Sequence, residues 1–174
     1  MNAVLAVLVL ALGFLSFPPV ARADFSCAPM SPNMRAGYLA LEDSRYADAQ
    51  KAFGDAGTEY AVCTFYHAAN PNGNPAVVPL KYYWQAYASA GQAAAAFGEG
   101  KTTDGLRFAK TAEEIFSDVM NGRGTDEGAS ADLRRAASDG LAYVRSLASA
   151  KQPLLPKLWL DWRTRQTPGR QTGF

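Results

Sequence analysis

An all-α domain of about six to seven helices is the fold class this sequence predicts, on three observations. Apolar residues recur at helical spacing wherever the chain shows a period at all. The part beyond the first 23 residues is rich in alanine, the strongest helix former. No segment alternates with period two over the length of a strand, so no sheet is expected. At 174 residues the chain is sized for one domain.

The elements follow in order. Ser31-Pro32 reads as an N-cap with proline in the first turn, opening a helix over about Asn33 to Asp43. After Ser44-Arg45 a second helix runs from Tyr46 to Ala56, with Ala49, Phe53 and Ala56 along one face. A third, about Glu59 to Ala69, carries Val62, Phe65 and Tyr66. Asn70-Pro71-Asn72-Gly73-Asn74-Pro75 cannot continue a helix and is the clearest internal boundary. Pro79 starts the next, with Leu80, Tyr83, Trp84 and Tyr87 at i, i+3, i+4, i+7 spacing, and Gly98-Glu99-Gly100 ends it. Asp104 to Met120 places Leu106, Ala109, Ala112, Phe116 and Val119 on one stripe. Gly122 to Gly128 is a polar loop, after which Ser130 caps a helix to about Ala150 that aligns Leu133, Ala137, Leu141, Val144 and Ala148. Pro153 and Pro156 restart the chain, and Leu155, Leu158, Trp159 and Trp162 share a face, read as a last helix clamping the others. From Thr164 the chain is polar and expected to fray.

The amino-terminal 23 residues predict export. Ala3 to Phe17 are apolar except Gly13 and Ser16, Pro18-Pro19 ends the run, and Ala21-Arg22-Ala23 supplies an A-x-A site, placing cleavage between Ala23 and Asp24. Met1-Asn2 departs from the pattern by offering no basic side chain. A retained anchor would need about 20 apolar residues, more than this run holds. Asp24-Phe25-Ser26 before Cys27 lacks the small and aliphatic residues of a lipobox. The expected organisation is thus a signal peptide over 1–23, one helical domain over 24–163 and a flexible tail over 164–174, with no stable membrane span after cleavage and a periplasmic or secreted location. Cleavage removes Arg22 and no other charged side chain, leaving 16 basic residues against 16 acidic ones. A balanced surface exerts no long-range pull on nucleic acid or anionic lipid. Cys27 and Cys63, the two cysteines, would then form one disulfide in an oxidising compartment. Closing a loop of about 36 residues contributes roughly 3.8 kcal/mol by the chain-entropy argument. The alternative is two buried or semi-buried free thiols.

One segment carries a family resemblance. GYLALEDSRYADAQKAFGDA puts Gly37, Tyr46, Ala49, Phe53 and Ala56 at signature spacing, and it resembles a tetratricopeptide repeat or its Sel1-like relative. The following AGTEYAVCTFYHAAN looks like the first helix of a next unit, and Ala112 with Phe116 echoes the second-helix pattern. The loop Gly98–Thr103 breaks a strict period. The resemblance implies antiparallel hairpins stacked as a short array, with a concave surface that binds peptides or proteins. It brings no catalytic residue.

Other motifs have plainer readings. Ala95-Ala96-Phe97-Gly98-Glu99-Gly100-Lys101-Thr102 fits the loose Walker A pattern, but a phosphate loop joins a buried strand to a helix, and the residues before it are helical and alanine-rich. A plain interhelix loop is expected. His67 stands alone among histidines and reads as packing or surface, with no metal or cofactor implied. Glu113-Glu114 with Asp118 reads as a solvated acidic face, and the loop 121–127 lacks alternating calcium ligands. No nucleophile with an activating base is evident, so no catalytic residue is assigned. Tyr82, Tyr83, Trp84 and Tyr87 are more aromatics than one helix face needs: they form either a partner-binding surface or core packing. The expected function is a non-catalytic module binding a protein or peptide in the cell envelope. The alternative is a small enzyme or inhibitor acting on cell-wall polymers.

Overall fold

The computed structural model describes residues 29–69, 77–122 and 129–166. The signal segment, the cleavage site at Ala23 and Asp24, Cys27, and the boundary loop at 70–76 lie outside the described residues, as does most of the loop at 122–128 and the end of the tail.

The described residues form six helices and no strand: α1 (Pro32–Glu42), α2 (Tyr46–Ala69), α3 (Val78–Gly98), α4 (Thr102–Met120), α5 (Ala131–Ala150) and α6 (Lys157–Gln166). The all-α expectation is met. Local chemistry sets the starts. The Ser31 hydroxyl accepts the Met34 N–H at 3.3 Å, with Pro32 next in line, and the Ser130 hydroxyl accepts the Leu133 N–H at 3.2 Å. Two ends share one turn. After α1, Arg45 N–H bonds the Ala40 carbonyl and Ser44 N–H that of Leu41; after α3, Lys101 N–H bonds Ala96 and Gly100 N–H bonds Phe97. The left-handed position of that turn is Gly100 (φ 75°) in one case and Ser44 (φ 57°) in the other.

One boundary differs from expectation. The two helices read over Tyr46–Ala56 and Glu59–Ala69 are a single α2, so the segment resembling a next repeat's first helix continues the previous one. Gly57 and Thr58 carry no cap and no proline. The Thr58 hydroxyl turns back on the Gly54 carbonyl at 3.1 Å, and the apolar stripe runs on through Ala56, Tyr60 and Cys63, all buried.

The extensive packing is between helices successive in the chain, from α1 with α2 to α4 with α5, with lighter contacts of α1 on α3 and of α3 on α5. Odd helices therefore make one layer and α2 and α4 the other. Aromatic rings set into glycines join the layers. Phe53 of α2 lies between Gly37 of α1 and Gly91 of α3, where an added Cβ would come within 2.7 and 2.5 Å of the ring. Phe116 of α4 meets Gly140 of α5 at the same 2.5 Å. These glycines let backbones close on a ring that any side chain would displace. Gly37, Ala49, Phe53 and Ala56, four of the residues that carry the repeat resemblance, are buried where α1, α2 and α3 meet.

Candidate functional site

The chain after α5 doubles back. Lys151 ends α5 in a left-handed conformation, Pro153 and Pro156 turn the strand of chain, and residues 154–166 lie across the odd-helix layer. The anchor is Trp159, the one buried residue of α6. Its ring stacks on Tyr38 of α1 at 5.1 Å and 25°, and its indole N–H donates to Glu42 Oε1 at 2.8 Å. Arg163, four residues on, pairs with the other oxygen of the same carboxylate at 2.9 Å. Arg35 of α1 lies over Trp162 at 5.9 Å, and Trp162 stacks on Trp159 at 5.1 Å. The last helix does clamp the array, and its target is α1.

Over α3 and α5 the same segment leaves space. A cavity of about 550 Å³ opens between Tyr83 and Tyr87 of α3, Asp139 and Tyr143 of α5, and Pro156 and Leu158 of the crossing segment. The Tyr143 hydroxyl donates to the Leu154 carbonyl at 2.8 Å, one of the few polar ties between segment and body. The rings of Tyr83 and Tyr87 meet edge-on at 5.1 Å. Burial pushes the phenols of Tyr87 and Tyr143 well above their ordinary value and raises that of Tyr83, so the cavity offers neutral hydroxyls, apolar ring edges, the Asp139 carboxylate and the paired Lys157 and Asp161. Tyr38 Oη is buried with no hydrogen-bond partner.

No protein-family model, curated protein or solved structure matches this chain.

The sequence-derived candidates fall as follows. Tyr83, Trp84 and Tyr87 are 5, 6 and 3% exposed and do not form an open surface; Tyr82 is half-buried at the edge. Trp84 packs inward against Tyr60 at 6.4 Å, while Tyr83 and Tyr87 contact Phe116 edge-on at 5.8 and 5.0 Å and turn toward the cavity. Core packing thus describes Trp84, and any recognition by Tyr83 and Tyr87 passes through the cavity. Cys63 is buried on α2; its expected partner Cys27 is outside the described residues. His67 sits edge-on to Tyr66 at 5.3 Å. Among the described residues, no group of three or more His, Cys, Asp and Glu side chains is placed to hold a metal ion. Glu113 is tied to Arg145 at 3.0 Å and Glu114 lies 3.8 Å from Lys110, the pairing of a solvated helix face. Gly98 to Lys101 joins α3 to α4 as an interhelix loop, with Lys101 paired to Glu99 at 3.0 Å. No helix among the described residues is long and apolar enough to cross a membrane.

One site residue and one buried lysine escaped sequence reasoning. Glu42 is the hub of the α1 contact, yet a lone glutamate closing a helix carries no local signal. Lys81 is 3% exposed on α3, and burial lowers its pKa; its place inside the apolar run from Val78 to Trp84 was the available sign.

Proposed function

We propose that the chain is an exported, non-catalytic protein of the cell envelope, built as a tetratricopeptide- or Sel1-like helical array, that binds a protein or peptide across its odd-helix layer. One observation carries this reading. That layer already holds a linear segment by a buried tryptophan, a carboxylate that reads two of its side chains, an arginine over the second tryptophan, a tyrosine hydroxyl and a buried proline, and beside the segment it keeps an aromatic cavity. This is how peptide grooves work: a few aromatic anchors supply the affinity and the remaining contacts supply fit. Export rests on the leader over 1–23, and a Cys27–Cys63 bridge would tie the mature amino terminus to α2. The alternative of an enzyme on cell-wall polymers draws no support from Glu113 and Glu114, which pair with Arg145 and Lys110 on one solvated helix instead of facing each other across a cleft.

The test is panning of a random peptide library against the full chain. Peptides that bind wild type and lose at least about tenfold in affinity on Ala142→Trp, which plugs the cavity mouth, or on Asp139→Lys are expected. Ala142 and Asp139 are exposed at the rim, so both variants should keep wild-type helicity. Absence of binders, or binders indifferent to both substitutions, overturns the reading. Recovery from the periplasm with Asp24 as first residue checks the export half separately.

A further inference from the structure

We infer that residues 152–166 are a self-ligand: they occupy in cis a site on α1 that recognises a helical segment with Trp and, four residues later, Arg, and a partner segment of that pattern displaces them. The inference rests on the peptide-binding reading above and specifies its partner and its regulation.

Three observations carry it. First, the segment is attached as a ligand is attached. Among the described residues no backbone-to-backbone hydrogen bond joins 152–166 to α1–α5; side chains hold it, by Tyr38, Glu42, Arg35 and the Tyr143 hydroxyl and by the apolar packing of Pro156, Leu154, Leu155 and Leu158 on the body. Its helix has ten residues, below the roughly 12 to 15 at which an isolated helix persists in water, so its fold depends on docking. Leu160 remains 48% exposed and most other side chains of α6 face water. Second, the recognition is specific in register. Both oxygens of Glu42 are used, Oε1 by the Trp159 indole and Oε2 by the Arg163 guanidinium, and i, i+4 spacing on a helix is what brings those two groups to one carboxylate. Third, the fit is incomplete. The cavity of about 550 Å³ remains where Pro156 and Leu158 pass Tyr83, Tyr87 and Tyr143.

The third point selects the occupant. The tail of a second copy would bring the same Pro156 and Leu158 and leave the same space open. A foreign segment with a bulkier apolar residue ahead of its tryptophan would fill it and gain contact surface, which lets it compete against a tethered rival. A site already occupied in cis binds in trans with its affinity reduced by the fraction of molecules whose site is free.

The experiment uses a fluorescent synthetic peptide of residues 152–166, titrated by anisotropy against the full chain. Wild type should bind weakly. Trp159→Ala, which loosens the resident segment and leaves the α1 site intact, should bind at least about tenfold more tightly. Trp159→Ala with Glu42→Gln should lose that gain, as should a peptide carrying Arg163→Glu. A probe whose Leu158, the apolar residue that lines the cavity just ahead of the tryptophan, is replaced by Phe should bind more tightly than the native sequence. In case Trp159→Ala fails to fold, a full chain with a protease site after Lys151 is cut and diluted: the segment should leave, the body should keep its helical signal, and added peptide should rebind. A body that melts on cutting, a segment that never leaves, or equal binding by wild type and Trp159→Ala overturns the inference. So does a tail-exchanged dimer in sedimentation. If library-derived peptides bind wild type and Trp159→Ala alike, the binding function stands and only the self-ligand falls; if none binds either protein, both fall.

Discussion

Phe53 and Trp159 are equally inaccessible to water, and they are held in opposite ways. Phe53 sits in mid-chain with two helices closing their backbones on it, and the glycines at 37 and 91 are what permit the approach. Trp159 sits on the last helix, reached through a proline-bearing link, and faces side chains alone. Burial measures how much surface a ring hides; it does not measure how hard the ring is to remove. Removal from between helices requires the array to open. Removal of a tethered segment requires only that the segment leave.

Truncating the two rings separates these cases. Phe53→Ala leaves a void the surrounding helices cannot vacate, and it should cost about 3–5 kcal/mol in chemical unfolding. Gly91→Ala, which drives a methyl into the same ring, should cost about 1–3 kcal/mol. Trp159→Ala should cost less than Phe53→Ala although its ring is larger, because the loss is capped at the docking free energy of the segment. A ten- to hundred-fold bias toward docking corresponds to roughly 1.5–3 kcal/mol. Amide hydrogen exchange distinguishes the routes: Phe53→Ala should raise exchange throughout α1–α3, whereas Trp159→Ala should raise it in α6 and leave α2–α4 protected. Equal costs and global exchange for both would erase the distinction.

Alkaline titration sharpens it next. Folding raises the pKa of the buried phenols, so their neutral form stabilises the native state below the unfolded phenol value of about 10, and that stability is lost as pH rises above it. In wild type the buried phenols should ionise together with loss of the helical signal. In Trp159→Ala, Tyr38, Tyr83, Tyr87 and Tyr143, which lie beneath the segment, should ionise before helicity falls, while Tyr60, which accepts the Ser31 N–H away from the segment, waits for unfolding. Phenolate absorbance followed alongside circular dichroism reads the order; coincident curves in both proteins would show that the segment does not shield them.

The sequence disclosed what a few neighbouring residues decide. Ser31 and Ser130 needed only their own hydroxyls to start α1 and α5, and Gly98-Glu99-Gly100 needed only its turn to end α3. Gly57-Thr58 looked like a similar boundary and was not, because the packing of Tyr60 on Trp84 outweighs the modest cost of a helical glycine. The clamping role of Trp159 was legible from its apolar face, but not its target: Glu42 is 117 positions away, and no local pattern records a contact of that range. The aromatic run on α3 was legible as an excess. Which of its rings turn to core and which to cavity depends on Phe116 and Tyr143, set by helices elsewhere in the chain.

The smallest expected effect concerns the turn that positions α1, and it bears on whether the site and the segment are separable. The turns after α1 and α3 have the same hydrogen bonds and differ at one position, where α3 is followed by Gly100 and α1 by Ser44. A left-handed residue with a Cβ costs about 1 kcal/mol over glycine, and Ser44 is exposed and offset from the Arg45–Asp48 pair, so its side chain has little to lose. Ser44→Gly should therefore stabilise the chain by about 0.5–1 kcal/mol, the greater flexibility of glycine in the unfolded state offsetting part of the gain, and raise Tm by about 2–4 °C. Because it firms the α1–α2 seam without touching Tyr38 or Glu42, exchange in α6 should stay at the wild-type rate. If α6 gained protection in step with the rest of the chain, the segment would unfold only with the array, and its contact with α1 would belong to the same cooperative unit as the ring at Phe53.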